Sequence, residues 1–166
     1  MIGDRWGVTD DEITHHYPCD DVVPCPSLQM WRGVTVHAAT VVVWPWVTQI
    51  QWAPYSYDWI DNLGRRSPRQ LLDSPAPVPG GPFTRTANRP RGRLLSVEPQ
   101  VHYTGRILGA VMSYVLVPVH PHTTRLLLKI VISGCGWLAP VISVGDLVMA
   151  RRQLLNLKRL AEMHLG

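Results

Sequence analysis

Hydrophobic and polar positions along the second half of the chain follow the pattern of β-strands. Strand-forming residues occupy four segments, which cover Arg93 to Val97, His102 to Ile107, Val111 to Val119 and Thr124 to Ser133. Glu98-Pro99-Gln100 and His120-Pro121-His122 separate two pairs of these segments and predict hairpin turns. In the last segment the charge of Lys129 marks the outer face, so the inward residues are expected to be Leu126, Leu128, Ile130 and Ile132. The pattern predicts an antiparallel sheet.

The C-terminal segment has the spacing of an amphipathic helix. From Leu138 to His164, apolar residues recur at steps of three and four positions and form a stripe of Leu147, Ala150, Leu154, Leu157 and Ala161. Pro140 suits the first turn of such a helix, and Lys158 and Glu162 have the spacing of an ion pair. The polar face carries Arg151, Arg152, Asn156 and Arg159. A long amphipathic helix that follows antiparallel strands predicts a sheet curled around that helix.

The first half of the chain has weaker patterns. Residues 1–30 are polar and contain several prolines, and they predict an irregular arm with at most one helical turn near Thr9 to Ile13. Thr9 and Glu12 have the spacing of a capping box at that turn. Arg32 to His37 alternates and predicts a strand. Ala38 to Gln51 stays open between strand and helix, because its valines favour a strand while Pro45 excludes an interior one.

Two further segments separate this part from the strands. Ser56 to Leu72 mixes aromatic, acidic and basic side chains and predicts short helices joined by turns. Asp73 to Gly92 is rich in proline and glycine, and it predicts a mobile surface loop, residues 73–92, without a regular element. A chain of 166 residues has about the length of one domain, so residues 31–166 are expected to form a single domain behind the arm.

Charge is unevenly divided along the chain. Residues 1–25 hold six acidic side chains and one basic side chain, although the whole chain has a net charge of +4. Three interpretations stay open: an acidic arm across a basic body, a body that faces an anionic membrane or nucleic acid, and scattered solubilising charge. The basic residues are nearly all arginine, a bias that GC-rich coding produces without selection for phosphate binding. We expect no nucleic-acid partner and at most weak peripheral membrane contact.

Composition and cysteine usage indicate a soluble cytoplasmic protein. The 46% hydrophobic and 17% charged fractions are those of a globular domain and exclude a disordered chain. Cys19, Cys25 and Cys135 are an odd number of cysteines in a chain whose start lacks the pattern of a signal peptide, so free thiols are expected. The apolar stretch from Ile130 to Ala150 contains Asp146 and is interrupted by glycine and proline, which argues against a transmembrane helix.

Five blocks of sequence resemble a known superfamily. They are Tyr17-Pro18-Cys19-Asp20-Asp21, Trp31-Arg32-Gly33-Val34-Thr35-Val36, Val43-Trp44-Pro45-Trp46-Val47, the run from Tyr55 to Ser67 that opens with Tyr-Ser-Tyr-Asp-Trp, and Gly145 to Leu154. With these blocks the chain resembles the SRPBCC superfamily, the START-like helix-grip domains that include polyketide cyclases and plant pathogenesis-related allergens. The likeness is greatest to an actinobacterial branch of that superfamily.

The resemblance implies an α+β helix-grip (START-like) fold, in which a curved antiparallel sheet surrounds a long C-terminal helix and leaves a hydrophobic cavity between them. It also assigns Val43 to Gln49 to the first helix. Relatives form further strands where this chain has Asp73 to Gly92. The resemblance therefore leaves open whether this segment opens or closes the mouth of the cavity.

Candidate ligand-binding residues come from two regions. The block from Tyr55 to Arg66 is dense in hydrogen-bonding and aromatic groups that suit the polar end of a ligand, while the sheet and helix suit its apolar body. The resulting candidates are Tyr55, Tyr57, Asp58, Trp59, Met112, Tyr114, Leu128, Ile130 and Met149. The alternative is that Asp58, Asp61 and Arg65 cap helix ends and pair with each other.

Catalytic residues stay unassigned. The acid-base candidates are Asp58, Tyr57, Tyr103, Tyr114 and His37, and each is better explained as a packed residue with a satisfied polar tip. His15, His16, Cys19 and Cys25 lack the paired Cys-x-x-Cys unit of a zinc site, so neither a metal nor a cofactor is expected. The expected function is binding of a small hydrophobic or aromatic, lipid-like or polyketide-like ligand. The alternative is a polyketide cyclase or dehydratase that uses acid-base residues in the same cavity.

Overall fold

A six-stranded, mostly antiparallel sheet forms the centre of the computed structural model, which describes residues 4–57, 63–134 and 139–163. The strands follow the spatial order β1-β2-β8-β7-β6-β5, and only β1 runs parallel to its neighbour. Their bounds are β1 Arg5–Trp6, β2 Leu28–Val36, β5 Arg93–Glu98, β6 His102–Ile107, β7 Ala110–His120 and β8 Thr123–Ile132. The four strands predicted in the second half and both of their hairpin turns are confirmed, and the strand predicted at Arg32 begins earlier, at Leu28.

Two longer helices pack on the concave side of this sheet. They are α3, Thr40–Thr48, which continues into a 3-10 turn at Gln49–Gln51, and α4, Ala139–Met163. Val43, Trp46 and Val47 share one face of α3 and are fully buried, and this burial outweighs the strand propensity of the valine run and the break at Pro45. The helix implied by the resemblance is therefore confirmed. The ends of the predicted segment Leu138 to His164 lie outside the described residues.

The main core lies between α4 and the sheet. The side chain of Leu147, the first residue of the predicted stripe, lies outside the described part of the structure. The other four residues of the stripe, Ala150, Leu154, Leu157 and Ala161, are all buried on α4. They share one core with Leu126, Leu128 and Ile130 of β8, which confirms the inward face set by Lys129. Each fully buried leucine or isoleucine contributes about 2 kcal/mol relative to an exposed position, so this interface holds the helix in the grip of the sheet. Lys158 and Glu162 form the predicted ion pair at 2.6 Å.

The expectation of an irregular N-terminal arm is wrong. The arm contains β1 and two helices, α1 at Asp10–Thr14 and α2 at Pro18–Val22, and the Thr9–Glu12 capping box is present. Leu127 and Val131 are buried on the outer face of β8, so that face also needs a cover. Tyr17 and Cys19 of the arm supply it and complete a second core. Alternation along β8 does not reveal this, because the charges of Arg125 and Lys129 are typical of a face exposed to solvent.

The expectation that residues 73–92 lack a regular element is also wrong. Two strands, β3 at Thr84–Thr86 and β4 at Arg89–Arg91, form a hairpin separate from the main sheet. Ala87 and Asn88 both have positive φ, as a two-residue hairpin turn requires. Pro90 is tolerated because a two-stranded ribbon leaves one edge without ladder partners. For the predicted helices of Ser56 to Leu72, the described residues 56, 57 and 63–72 contain no helix, and the rest lie outside the described residues.

Candidate functional site

A cavity of about 680 Å³ lies between the sheet, α4 and the β3–β4 hairpin. We call it the sheet–helix cavity. Its floor is a cross-strand row in which Met30 of β2 lies opposite Ile130 of β8, and Ile130 lies opposite Met112 of β7. The α4 side is formed by Met149, Ala150 and Gln153. A cavity of this size is within the range of small-molecule sites, roughly 300–1,000 Å³.

Phe83 forms a wall of this cavity and anchors the hairpin to the sheet. Its ring stacks on Tyr103 with centroids 5.4 Å apart, and the Tyr103 hydroxyl donates a hydrogen bond of 2.6 Å to the Phe83 carbonyl. Gly105 lies opposite Met112 in the row described above, and a Cβ atom there would come within 2.0 Å of the Phe83 ring. Glycine at this position therefore leaves the space that the ring occupies. Burial raises the pKa of Tyr103, so its hydroxyl stays protonated and keeps donating.

One buried polar relay joins the cavity floor to the helix. The Tyr114 hydroxyl donates to Gln153 Oε1 at 2.6 Å, and Gln153 Nε2 donates to the carbonyl of Pro54 at 2.5 Å. Tyr114 and Gln153 are both buried. Because unsatisfied buried polar atoms are costly, the relay fixes α4 relative to β7 and keeps a hydrogen-bonding group inside an apolar cavity.

The mouth of the cavity lies at the hairpin and at the β6–β7 turn. Leu108 in that turn is 95% exposed, and Arg91 at the end of β4 is also exposed. The hairpin is tied down at its other strand, where the Thr84 hydroxyl donates to the Ile50 carbonyl at 2.7 Å. The Arg85 guanidinium also lies 4.0 Å from the centroid of the Trp52 ring. The segment expected to be a mobile loop is thus an anchored wall of the cavity.

A second concavity, of about 700 Å³, lies on the other flank of α4. We call it the arginine pocket. It is bounded by residues 55–57, residues 67–71 and the C-terminal half of α4, with Arg69, Arg152 and Arg159 among its lining residues. Tyr55 has a φ of 56°, a left-handed conformation that turns the chain here. Ser56 borders both concavities, whereas Tyr55 and Tyr57 line the arginine pocket.

The structure distributes the predicted site residues over several places. Met112, Tyr114, Ile130 and Met149 line the sheet–helix cavity, and Leu128 is fully buried in the core without lining it. Asp58 and Trp59 lie outside the described residues, as does Asp61. Sequence reasoning missed Phe83 and Gln153. A lone phenylalanine in a proline-rich segment, and a glutamine directly before a leucine of the helix stripe, were the available signals.

Asp58 lies outside the described residues, and the other four acid-base candidates do not come together around one reacting position. Tyr103 and Tyr114 both donate hydrogen bonds inside the fold. His37 is exposed, and its backbone N–H donates to Glu162 Oε1 at 2.8 Å. Tyr57 lies in the arginine pocket. In the part of the cavity lining that the structure describes, Arg91 is the only charged side chain.

The candidate metal residues are dispersed as well. Cys19 is buried in the second core, Cys25 is exposed, and the His16 ring lies 3.1 Å from Asp21. No three His, Cys, Asp or Glu side chains that the structure describes within residues 4–57, 63–134 and 139–163 come close enough to hold a metal ion. The same ranges contain no helix that is long and apolar enough to cross a bilayer.

Comparisons with known proteins find similar structures at low sequence identity. No family model matches the chain, and no curated protein matches it. A crystal structure of a protein from Nitrosomonas europaea has a TM-score of 0.53 at 13% identity, over 82% of this chain and 95% of that one. A crystal structure of a protein from Mesorhizobium loti has a TM-score of 0.52 at 15% identity, over 81% of this chain and 97% of that one.

A solution structure of a protein called KanY is similar to the same degree, with a TM-score of 0.51 at 15% identity over 81% of this chain and 97% of that one. Identities this low are evidence for the fold alone. Together with the sheet order and the position of α4, they show that this chain has the α+β helix-grip (START-like) fold, with a curved antiparallel sheet around a long C-terminal helix.

Proposed function

We propose that this protein binds a small hydrophobic or aromatic molecule, lipid-like or polyketide-like, in the sheet–helix cavity. We also infer that it is a cytoplasmic member of the SRPBCC superfamily, from the actinobacterial branch that its sequence blocks resemble. The observation that carries the proposal is the cavity itself, about 680 Å³ in volume between the sheet and α4.

The chemistry of the walls supports an apolar ligand. Met30, Met112 and Met149 lie around the cavity with Ile130, and methionine side chains adapt to ligands of different shapes because they are unbranched and polarizable. Phe83 adds an aromatic wall for stacking. The Tyr114–Gln153 relay offers one polar contact that would orient a ligand carrying a single oxygen atom.

Binding is favoured over catalysis by the hydrogen bonding of the lining. The Tyr114 hydroxyl already donates to Gln153, and Arg91, the one charged side chain of the described lining, has N–H donors but no acceptor atom. The described lining therefore supplies no acid-base pair for a cyclisation or dehydration.

Native mass spectrometry of the purified full chain tests this proposal. We expect either a co-purifying apolar compound, recovered unchanged by solvent extraction, or a 1:1 adduct with the neutral dye N-phenyl-1-naphthylamine once the protein has been stripped. A protein that carries no compound and forms no adduct would overturn the proposal. Conversion of a supplied polyketide analogue, absent from a boiled control, would replace binding with the enzymatic alternative.

A further inference from the structure

The arginine pocket has walls that hydrogen bonds hold in place. Gln49, which is 4% exposed, accepts a hydrogen bond from the Leu72 N–H at 2.8 Å and donates to the Gln70 carbonyl at 2.9 Å. Its side-chain amide also bonds the Tyr55 hydroxyl. From the α4 side, Asn156 Nδ2 donates to the Tyr55 carbonyl at 2.9 Å. Because these contacts tie the loop residues of the wall to the 3-10 turn after α3 and to α4, the concavity exists before any ligand arrives.

Three guanidinium groups surround this preformed space. Arg152 and Arg159 are seven positions apart on α4 and therefore lie on one face, about 10 Å apart along the helix axis. Arg69 approaches from the loop that forms the opposite wall. None of the three forms an ion pair with a carboxylate among the described residues. Like charges around one concavity repel one another, and a bound anion would relieve that repulsion.

The rest of the lining combines aromatic, apolar and neutral polar side chains. The Arg152 guanidinium lies 5.8 Å from the centroid of the Tyr57 ring, and Leu71, Leu160 and Met163 add apolar surface. The neutral polar lining residues are Ser56, Ser67, Gln70 and Asn156. Guanidinium groups match the geometry of phosphate and carboxylate oxygens, whereas the apolar side chains match a hydrocarbon or ring. A simple ion would use only part of this surface.

We propose that the arginine pocket is a second binding site, which takes a small molecule with an oxyanion group, a phosphate monoester or a carboxylate, on an aromatic or aliphatic body. Arg152, Arg159 and Arg69 hold the oxyanion. Tyr57 and the apolar lining hold the body. The site is distinct from the sheet–helix cavity and does not depend on the function proposed for that cavity.

Titration calorimetry at low ionic strength tests this assignment, with phenyl phosphate as the ligand and the full chain as the protein. We expect the double variant Arg152→Gln, Arg159→Gln to lose at least about tenfold in affinity, since hydrogen bonds to charged groups are among the strongest. Arg151→Gln is the matched control, because Arg151 neighbours Arg152 on the same exposed side but lies 5.1 Å from the Trp6 ring, outside the pocket. Its affinity is expected to stay within twofold of the unsubstituted chain. Equal affinities for the double variant and the unsubstituted chain would overturn the proposal.

Further ligands separate the contributions of charge and body. Benzoate carries both a charge and a ring, so it is expected to bind in the same pocket as phenyl phosphate. Benzyl alcohol lacks the charge and inorganic phosphate lacks the ring. Each of these two is expected to bind at least about tenfold more weakly than phenyl phosphate. Inorganic phosphate that binds as tightly as phenyl phosphate would contradict the role of the apolar lining. The variant Met112→Trp, which fills the sheet–helix cavity, is expected to leave phenyl phosphate binding unchanged. Failure of the proposed function can thereby be told from failure of this site.

Discussion

Lys129 of β8 and Asp20 of α2 form an ion pair across the outer face of the sheet, with 2.6 Å between Nζ and Oδ1. The Lys129 side chain is 6% exposed, and its ammonium group lies 5.0 Å from the Trp31 ring and 5.4 Å from the Tyr17 ring. A charge in such surroundings is stable only while its partner stays in place. This pair therefore links the N-terminal arm to the sheet, and the arm is an integral part of the fold.

Removing the charge of Asp20 should destabilise the protein. The Tyr17 backbone N–H donates a hydrogen bond of 3.0 Å to Asp20 Oδ2, and Asp20→Asn keeps an oxygen that accepts this bond. The substitution leaves the Lys129 ammonium buried without a counter-charge. We expect a loss of about 2 kcal/mol in the free energy of unfolding, measured by urea denaturation. Asp21→Asn is the control, since that side chain is 74% exposed and pairs with His16, and it should change stability by less than about 0.5 kcal/mol. Equal losses in the two variants would contradict the role given to the pair.

The structure of the arm is a part of this fold that the sequence alone does not predict. The strands of the second half and the stripe of α4 depend on local spacing, and local spacing is visible in one sequence. The contacts of the arm are not local. The Cys19 backbone N–H donates to Ser113 at 2.9 Å, and Glu12 bonds Arg125 of β8. A pattern within residues 1–30 carries no record of partners so distant along the chain.

Local spacing also predicts part of the candidate site, whereas long-range contacts decide the rest. Met112 and Tyr114 face the cavity because alternation along β7 places both on the concave side of the sheet. By residue type, Tyr55 and Tyr57 suit that cavity equally well. The left-handed turn at Tyr55 and the hydrogen bond from Asn156 bring them to the other flank of α4 instead. Neither the turn nor that long-range contact follows from residue type or spacing.

Protonation of Glu12 should lower the stability of the folded protein at acid pH. Burial alone would raise the pKa of this carboxyl, but the hydrogen bonds from Arg125 and Thr9 outweigh burial and hold the pKa below its ordinary value of 4.5. A lowered pKa in the folded state contributes stability that is fully present above pH 4.5 and is lost as the pH falls through the folded value. Glu12→Gln should therefore destabilise the protein at pH 7 and by much less near pH 3.

Urea unfolding at both pH values measures this effect. Asp10→Asn provides the comparison, because the Asp10 side chain is 98% exposed in the same helix. The free energy of unfolding of this variant should differ little from that of the unsubstituted chain at either pH. A difference in the free energy of unfolding between Glu12→Gln and the unsubstituted chain that stays constant down to pH 3 would contradict the pairing with Arg125.

The two described cysteines should differ sharply in reactivity. Burial is the main cause that raises the pKa of Cys19 to about 11, and its thiol lies inside the second core, whereas Cys25 is exposed. In a Cys135→Ser background at pH 8, an aromatic disulfide reagent should modify one thiol rapidly and the second only after denaturation. Adding Cys25→Ser should abolish the rapid reaction, and a rapid reaction that persists would show that Cys19 is accessible.

Membrane contact should be weak and sensitive to salt. Several basic groups are engaged within the fold, since Lys158 pairs with Glu162 and Arg85 covers Trp52, while Arg89 and Arg91 of the hairpin are exposed. Sedimentation with vesicles of anionic phospholipid should pellet some protein at low ionic strength and almost none at about 150 mM salt, where screening acts beyond about 8 Å. Pelleting that survives high salt would mean that an apolar segment inserts into the bilayer.

Filling the sheet–helix cavity is the most direct test of the binding site proposed for this protein. Met112→Trp places a bulky indole ring among the lining residues, whereas Val119→Trp adds the same ring on the same strand, at a residue that is 47% exposed and outside the cavity. Fluorescence titration with neutral N-phenyl-1-naphthylamine should show at least about a tenfold loss of affinity for Met112→Trp and none for Val119→Trp. Unchanged affinity in Met112→Trp, with its melting temperature and circular dichroism preserved, would contradict binding in this cavity.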